Sequence, residues 1–395
     1  MRLYRNLCEG VLQSLQSIFE DNRYADKVIE KTFKQNTKWG SRDRRFVAEA
    51  VYGIVRWYRF LREVSGASKE DYWKLLATWL IWQQIKLPDW DEFKKIDQEA
   101  IRASLKEKYP TKIIESIPDW LAELGEKSLG NRWETELSAL NEEAVVVLRA
   151  NTLKISPREL QEKLQLENVA SDLLEDFPDA LQLRLRQNVF RTPSFKEGLF
   201  EVQDAGSQLI APFLQIEPGM RVIDACAGTG GKTLHLATLA KNKGRIVALD
   251  TEQWKLDELK KRARRAGANN IEARVIESSK TIKRLAKSAD RLLLDVPCSG
   301  LGVLKRNPDA KWKLNLDFIE KVKVLQQKIL SEYCEMLKPG GLLVYSTCSI
   351  LPSENEDQVQ SFLSSRPGEF ELNDERHVWP SEGFDGFYMA LLRKK

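Results

Sequence analysis

From about residue 200 onward, short apolar segments alternate with helical patterns, and no other feature restricts the fold of this chain as tightly. Strands are expected at Arg221 to Asp224, Gly244 to Asp250, Ile271 to Ile276, Arg291 to Asp295 and Gly341 to Ser346. Apolar residues at helical spacing place helices between them, including Lys232 to Leu239, Leu256 to Ala266 and Leu316 to Leu337. Strands that alternate with helices pair in parallel, because each helix carries the chain back across the sheet. The expected architecture is therefore α/β, a doubly wound, mostly parallel sheet. Such sheets bind ligands at the carboxyl ends of their strands.

The chain ahead of that region reads differently. Residues 1 to about 145 show helical periodicity throughout, as in Leu7, Val11, Leu12, Leu15 and Ile18, and no strand-like alternation. Ala144 to Leu148 reads as a strand, Pro157 to Leu164 as a helix, Leu181 to Arg186 as a strand, and Asn188 to Arg191 as a continuation of the sheet. The expected domains are a helical one over 1–145, a small α/β one over 146–200 and the parallel-sheet domain over 201–395. Met1 to Asn22 reads as an amphipathic helix without the basic start, apolar centre and cleavage site of a secretory signal. No apolar run reaches 18 residues, so no membrane span is expected and the cytoplasm is the expected compartment. Trp73, Trp79, Trp82 and Trp90 sit in apolar helices, where core packing is their expected role.

Two histidines, His235 and His377, leave no basis for a histidine triad or a multi-histidine metal site, and no metal is expected. The five cysteines (Cys8, Cys226, Cys298, Cys334 and Cys348) form no CxxC pair, which argues against a zinc site or a disulfide framework. Charge is nearly balanced at +4 but unevenly placed: residues 241–330 carry a net +11 and residues 31–60 a net +6. Basic stretches of that length suit a polyanion, nucleic acid first.

The first strand of the alternating region runs into Asp224-Ala225-Cys226-Ala227-Gly228-Thr229-Gly230-Gly231-Lys232-Thr233. A P-loop requires glycine where Cys226 stands, and a dinucleotide fingerprint requires it where Thr233 stands, so both readings fail. The remaining nucleotide reading is S-adenosylmethionine. Its loop wants an acid at the strand end followed by closely spaced glycines, as Asp224, Gly228 and Gly230 provide. Asp250, at the end of the next strand, suits a pair of ribose hydroxyls.

Two thiols follow two further strands, in Asp295-Val296-Pro297-Cys298-Ser299-Gly300 and Ser346-Thr347-Cys348-Ser349. Both fall on the edge of the sheet that carries the cofactor loop. Their chemistry fits methylation at carbon 5 of a pyrimidine. That carbon is a poor nucleophile until a thiolate adds to carbon 6 and makes the ring enamine-like. A carboxyl group near ring N3, such as Asp295, would stabilise the adduct. The carbon-5 proton must then leave to a base, either the second thiol or an ordered water. A free thiol has a pKa of about 8.5 and is little ionised at neutral pH, so a local shift or proton relay is needed, which nearby Lys or Arg could supply.

These motifs resemble those of the Sun/RsmB-type family of RNA cytosine-5 methyltransferases. The resemblance spans roughly 145–395. It rests on Val202-Gln203-Asp204, the Asp224 to Thr233 loop, Asp295 to Gly300 with Arg306-Asn307-Pro308-Asp309-Ala310-Lys311-Trp312, Tyr345 to Ile350 with Glu354-Asn355-Glu356, and Asp385 to Ala390. Ser41 to Phe46 and Ala50 to Arg56 resemble the helical NusB-like extension of these enzymes, and Arg149 to Lys154 the start of their small RNA-binding subdomain. The resemblance implies a class I, Rossmann-like methyltransferase fold preceded by those two domains. It makes Cys348 the nucleophile, Cys298 the residue that aids product release, and Asp295 a contact to the base. Cys226, Ala227, Gly228, Thr229, Gly230, Gly231 and Lys232 would hold S-adenosylmethionine together with Asp224, Asp250, Ser278 and Asp295. Arg306, Lys311, Arg44, Arg45 and Arg56 would meet RNA phosphate. The implied substrate is ribosomal RNA, with no obligate protein partner. Transfer RNA with the same chemistry, or a non-catalytic RNA-binding scaffold, are the alternatives. Two departures stand out. The family's Ala-Ala-Pro-Gly-Gly-Lys is here Ala227-Gly228-Thr229-Gly230-Gly231-Lys232, and its acid after Val275 is replaced by Glu277-Ser278-Ser279.

Overall fold

Val147–Ala150 (β1), Ser171–Leu173 (β2), Ala180–Leu183 (β3) and Phe200–Val202 (β4) make a four-stranded antiparallel sheet in the order β2-β3-β1-β4. These positions come from a computed structural model that describes residues 3–395; the first two residues of the expected N-terminal helix lie outside the described residues. The helix Pro157–Leu166 covers this sheet, and Leu160 and Leu164 pack with Leu148, Leu181 and Phe200. Asn188 to Arg191 does not continue the sheet. The Asn188 side chain accepts the Phe190 N–H, and Val189–Arg191 coils into a 3-10 turn. Short polar side chains draw backbone away from strand pairing in this way.

The larger sheet has seven strands: Arg221–Asp224 (β5), Arg245–Asp250 (β6), Ile271–Val275 (β7), Ala289–Asp295 (β8), Leu337–Thr347 (β9), Phe370–Val378 (β10) and Phe387–Lys394 (β11). Their order is β10-β11-β9-β8-β5-β6-β7. The β9-β8-β5-β6-β7 run is parallel, and β11 is antiparallel to both its neighbours. This is the expected doubly wound class with an antiparallel hairpin added at one side. Alternation along β8 fills both faces: Leu292 and Leu294 pack in one layer, Leu293 in the other. The strand order reverses beside β5, so its carboxyl end opens on a crevice between β6 and β8. No helix among the described residues is long and apolar enough to cross a membrane.

The chain divides into two units. One comprises the residues up to Glu142 together with Leu304–Leu316; the other comprises Glu143–Val303 and Asp317–Lys395. Among the described residues, the first unit is helical, built from Arg5–Phe19, Ala25–Gln35, Ser41–Arg56, Tyr58–Ser65, Tyr72–Trp82 and shorter helices. Trp79 is buried in its core, and Trp73, Trp82 and Trp90 pack against that core. The second unit holds both sheets, so the segment expected as a separate small domain shares a unit with the seven-stranded sheet.

Asn151 and Gly198 explain that union. The Asn151 amide donates to the Gly198 and Ala266 carbonyls, each at 2.8 Å, which ties the small sheet to the end of the helix Gln253–Ala266. Gly198 has φ +71°, and a Cβ there would lie 2.1 Å from the Arg265 carbonyl oxygen. Both features exclude a side chain. Gly198→Ala is expected to destabilise the second unit by at least about 2 kcal/mol, from a left-handed non-glycine residue and a backbone clash. Urea unfolding followed by fluorescence measures this, and an unchanged midpoint counts against the tie.

Candidate active site

β5 delivers Asp224 to the crevice, where the residue is 1% exposed. Its Oδ2 accepts the Thr233 hydroxyl at 2.7 Å, while Oδ1 is buried without a protein partner among the described residues. Burial pushes this carboxyl up to about 7, against the Thr233 hydrogen bond. The glycine-rich turn then leaves the sheet. Gly228 and Gly230 have φ of +53° and +92°. A Cβ on Gly230 would collide with Leu259 Cγ at 2.6 Å, whereas one on Gly228 would meet no protein atom. The turn feeds the helix Gly231–Leu239. Asp250, at the end of β6, is occupied by backbone: its Oδ2 accepts Gly228 N–H and its Oδ1 accepts Glu252 N–H, both at 2.9 Å.

A cavity of about 300 Å³ opens here. Asp224, Cys226, Ala227, Gly228, Thr229, Gly231, Lys232 and Asp295 of the expected cofactor residues line it. Gly230, Asp250 and Ser278 do not; Gly230 and Asp250 shape the loop from behind, and Ser278 is exposed beyond β7. Four lining residues had no cofactor role assigned from sequence: Val202, Gln203, Ser207 and Arg262. Arg262 donates to the Thr229 carbonyl and hydroxyl, each at 2.9 Å, and its other nitrogen reaches Glu201 at 2.9 Å. Its signal was present in the sequence. It shares a helix face with Leu259, Ala263 and Ala266, all buried, so a cation there had to point inward.

Across the cavity, the ends of β8 and β9 stand in register, Asp295 opposite Ser346. Asp295 Oδ1 accepts the Ser346 hydroxyl at 3.0 Å, and Oδ2 accepts Lys232 Nζ at 2.7 Å. Burial works against the Lys232 charge, but the Asp295 carboxylate outweighs it and holds the ammonium above the ordinary lysine range. Three residues beyond Asp295, the Cys298 sulfur lies 3.2 Å from the Cys348 sulfur and accepts the Cys348 N–H at 3.3 Å. Both are free thiols. The hydrogen bond with Cys348, then burial, holds the Cys298 thiol well above the usual range. The arrangement brings two free thiols, an ion-paired carboxylate and a glycine-walled cavity to one edge of the sheet. It suits covalent transfer of a small group from a bound donor.

The cations expected at RNA phosphate fare differently. Lys311 is 1% exposed, and its ammonium donates to Asn141 Oδ1 at 3.1 Å inside the helical unit. Burial lowers its pKa well below the ordinary value, so it serves the interior and reaches no phosphate. Arg56 is also committed, donating to the Lys305 carbonyl at 2.7 Å and the Leu140 carbonyl at 3.4 Å. Arg44 is half-buried, bonded to the Trp39 carbonyl and lying over Phe33. Arg306 is half-buried with partners of its own. Arg45 is exposed and pairs with Glu49 along its helix. Arg306 and Lys311 escaped the charge count because Leu304–Leu316 packs within the helical unit, which sequence spacing does not reveal.

Residues 211–393 match the family described as 16S rRNA methyltransferase RsmB/F, and residues 117–190 match the ferredoxin-like domain of RsmF/B-like methyltransferases. A probable ribosomal RNA small subunit methyltransferase B from Synechocystis sp. is 37% identical over 320 residues, which cover 76% of this chain and 70% of the relative. Among solved structures, a methyltransferase homolog protein from Pyrococcus horikoshii is 29% identical, covering 72% of this chain and 98% of its own, with a TM-score of 0.64. Another, 24% identical, covers 100% of both chains at a TM-score of 0.84 and shares the fold.

The buried acid gives a test that needs no substrate. Between the ordinary 3.8 and about 7, the folded chain keeps a proton on Asp224 that the unfolded chain releases. The contribution of this group to stability is therefore lost as pH rises through that window. Asp224→Asn cannot ionise and should flatten the dependence of Tm on pH between 4 and 7 relative to the parent. Scanning calorimetry across that range decides it, and identical slopes would remove the buried-acid reading.

Proposed function

The chain belongs to the RsmB/F family of rRNA methyltransferases, and we propose that it methylates carbon 5 of a cytosine in ribosomal RNA through a transient bond from Cys348 to carbon 6. The observation that carries this reading is the thiol pair at 3.2 Å beside the Lys232–Asp295 ion pair and the glycine-walled cavity. The residues fit S-adenosylmethionine, the cofactor of the family: closely spaced glycines cradle the cavity, and the unpartnered Asp224 oxygen is a buried acceptor in its lining. Bound there, the cofactor supplies an electrophilic methyl group on sulfonium. The Asp224 to Lys232 segment and Arg262 hold it, with Gly230 and Asp250 fixing the loop.

The protein's own residues perform the remaining steps. Cys348, as thiolate, adds to carbon 6 and pushes electron density to carbon 5. The Asp295 carboxylate first, and Cys348 after it, hold the Lys232 ammonium above its ordinary range, so a fixed cation stands near the nucleophile. Asp295 contacts the N3 edge of the base. Its negative charge raises the affinity of N3 for a proton and so stabilises the adduct. After carbon 5 has gained its methyl group, Cys298 aids release: the carbon-5 proton passes to a base, the Cys298 sulfur or a water, the C–H electrons re-form the ring double bond, and the Cys348–carbon 6 bond breaks with its electron pair returning to the Cys348 sulfur. The small sheet and the helical unit are proposed to hold the RNA, with Arg45 as an exposed phosphate contact.

Cys348→Ala is expected to abolish methyl transfer, read as tritium from labelled cofactor entering RNA; retained turnover would overturn the nucleophile assignment. Cys298→Ala is expected to accumulate an RNA–protein adduct through Cys348, seen as a slow band on a denaturing gel. Methylation without such a band would remove the release role. Bisulfite sequencing of RNA from cells with and without the protein should show one protected ribosomal cytosine lost. A loss confined to transfer RNA would move the substrate and leave the chemistry standing.

A further inference from the structure

Glu354 is fully buried and lines no part of the cofactor cavity. Its Oε2 accepts the backbone N–H of Ser299 at 2.7 Å and the Gln326 amide at 3.1 Å. Its Oε1 accepts the Ser349 hydroxyl at 2.7 Å. Ser299 follows Cys298 and Ser349 follows Cys348, so one carboxylate grips both thiol-bearing loops one residue past each sulfur. The two serine hydroxyls lie 3.2 Å apart between the loops. Gln326 also donates to the Pro297 carbonyl at 2.9 Å, on the near side of Cys298. The Tyr345 hydroxyl anchors the Glu354 backbone carbonyl at 2.7 Å, and the Asn355 amide donates to the Ser349 carbonyl at 3.0 Å.

The backbone provides little of this hold. The β8–β9 ladder ends with the Val296 N–H donating to the Ser346 carbonyl at 3.0 Å. Among the described residues, the next backbone bond between the loops runs from Gly302 N–H to the Cys348 carbonyl at 2.9 Å. Pro297 lacks an N–H, so it cannot extend the ladder. Cys298 sits in the gap and Cys348 at its edge, where the Cys348 N–H donates to the Cys298 sulfur at 3.3 Å. A buried carboxylate with every strong donor aimed at it is rigid, because breaking any strut leaves an unsatisfied polar group.

We propose that Glu354 is a positioning residue that sets the spacing of the Cys298 and Cys348 sulfurs. It touches neither cofactor nor base and acts only through the two loops. Its effect on turnover rests on the two-thiol reaction proposed above; the spacing itself can be measured without that reaction.

The full-length protein is treated with dibromobimane, which bridges two neighbouring thiols, and the Cys298–Cys348 bridged peptides are followed by mass spectrometry. Glu354→Ala should slow bridging about tenfold and lower kcat about 100-fold, the cost of displacing a reacting group by ~1 Å. KM for S-adenosylmethionine should stay unchanged, because Glu354 is outside the cavity. Glu354→Gln should restore bridging to within about threefold of the parent, since the amide carbonyl can accept Ser299 N–H and Gln326 while its NH₂ donates to the Ser349 oxygen. Bridging at the parental rate in folded Glu354→Ala overturns the proposal. Should that variant fail to fold, Ser349→Ala removes a single strut and should still slow bridging; a parental rate there overturns it equally. Bridging that depends on Glu354 in a protein unable to methylate RNA would sink the two-thiol reaction and leave the positioning role intact.

Discussion

The register between β8 and β9 is the constraint on which the rest of the site depends. Parallel pairing sets Asp295 opposite Ser346, and each chain then turns into its cysteine loop within three residues. A one-residue slip would turn every side chain of one strand to the other face and part the two sulfurs. Packing makes the slip costly. Leu292, Leu294 and Tyr345 fill one layer while Leu293 and Val344 fill the other, all fully buried. The same hydrophobic alternation that specifies the sheet thus fixes the thiol geometry, and the Glu354 struts act on a spacing already set to within one register.

Charge is distributed around this frame in a way that burial alone would not produce. Two carboxylates, Asp224 and Asp295, approach the cavity with Lys232 between them. The ammonium bonds to Asp295, which Ser346 orients, and this leaves Asp224 to the Thr233 hydroxyl. The like charge of Asp295 adds to the desolvation of Asp224, so the second carboxyl keeps its proton well above the usual range. One acid of the pair is bonded to a cation, and burial pushes the other up to about 7. The cavity lining therefore combines a buried acid bonded to the Thr233 hydroxyl with the Lys232–Asp295 ion pair.

Much of this was legible in the sequence because it follows from local patterns. The parallel strands were marked by short apolar runs, and the loop after β5 by its glycines; both thiols fell at strand ends as the spacing required. β10 and β11 had no assignment. β10 is exposed along most of its length and reads Phe-Glu-Leu-Asn-Asp-Glu-Arg-His-Val, a charged sequence that pairs only because β11 lies beside it. The turn at Val189–Arg191 was lost to a side-chain cap. Lys311 and Arg56 were read from motif and charge, yet burial is a tertiary property, and the segment that carries Lys311 is spent on the helical core. Glu354 gets no role from the sequence, since no spacing rule says that a glutamate six residues after one cysteine reaches back to the loop of another.

The glycine-rich loop after β5 shows how the chain tolerates a departure from its family. A proline in the turn would lock φ covalently. Thr229 stands in its place, and its neighbour Gly228 adds further freedom, so the turn needs another restraint. Arg262 provides one that a proline would not permit, bonding the threonine hydroxyl as well as the carbonyl. The guanidinium is itself held by Glu201, which also takes Arg265, and Arg265 lies over the Phe195 ring at 3.9 Å. Glu201 belongs to β4, the edge of the small sheet, and is 5% exposed. Rigidity that a ring would supply within one residue is here drawn from a buried ion network spanning both sheets of the unit. Such a network is weakly screened by salt because little of it meets solvent. It also gives the small sheet a structural stake in the glycine-rich loop: a shift of β4 pulls on Arg262, and Arg262 pulls on Thr229.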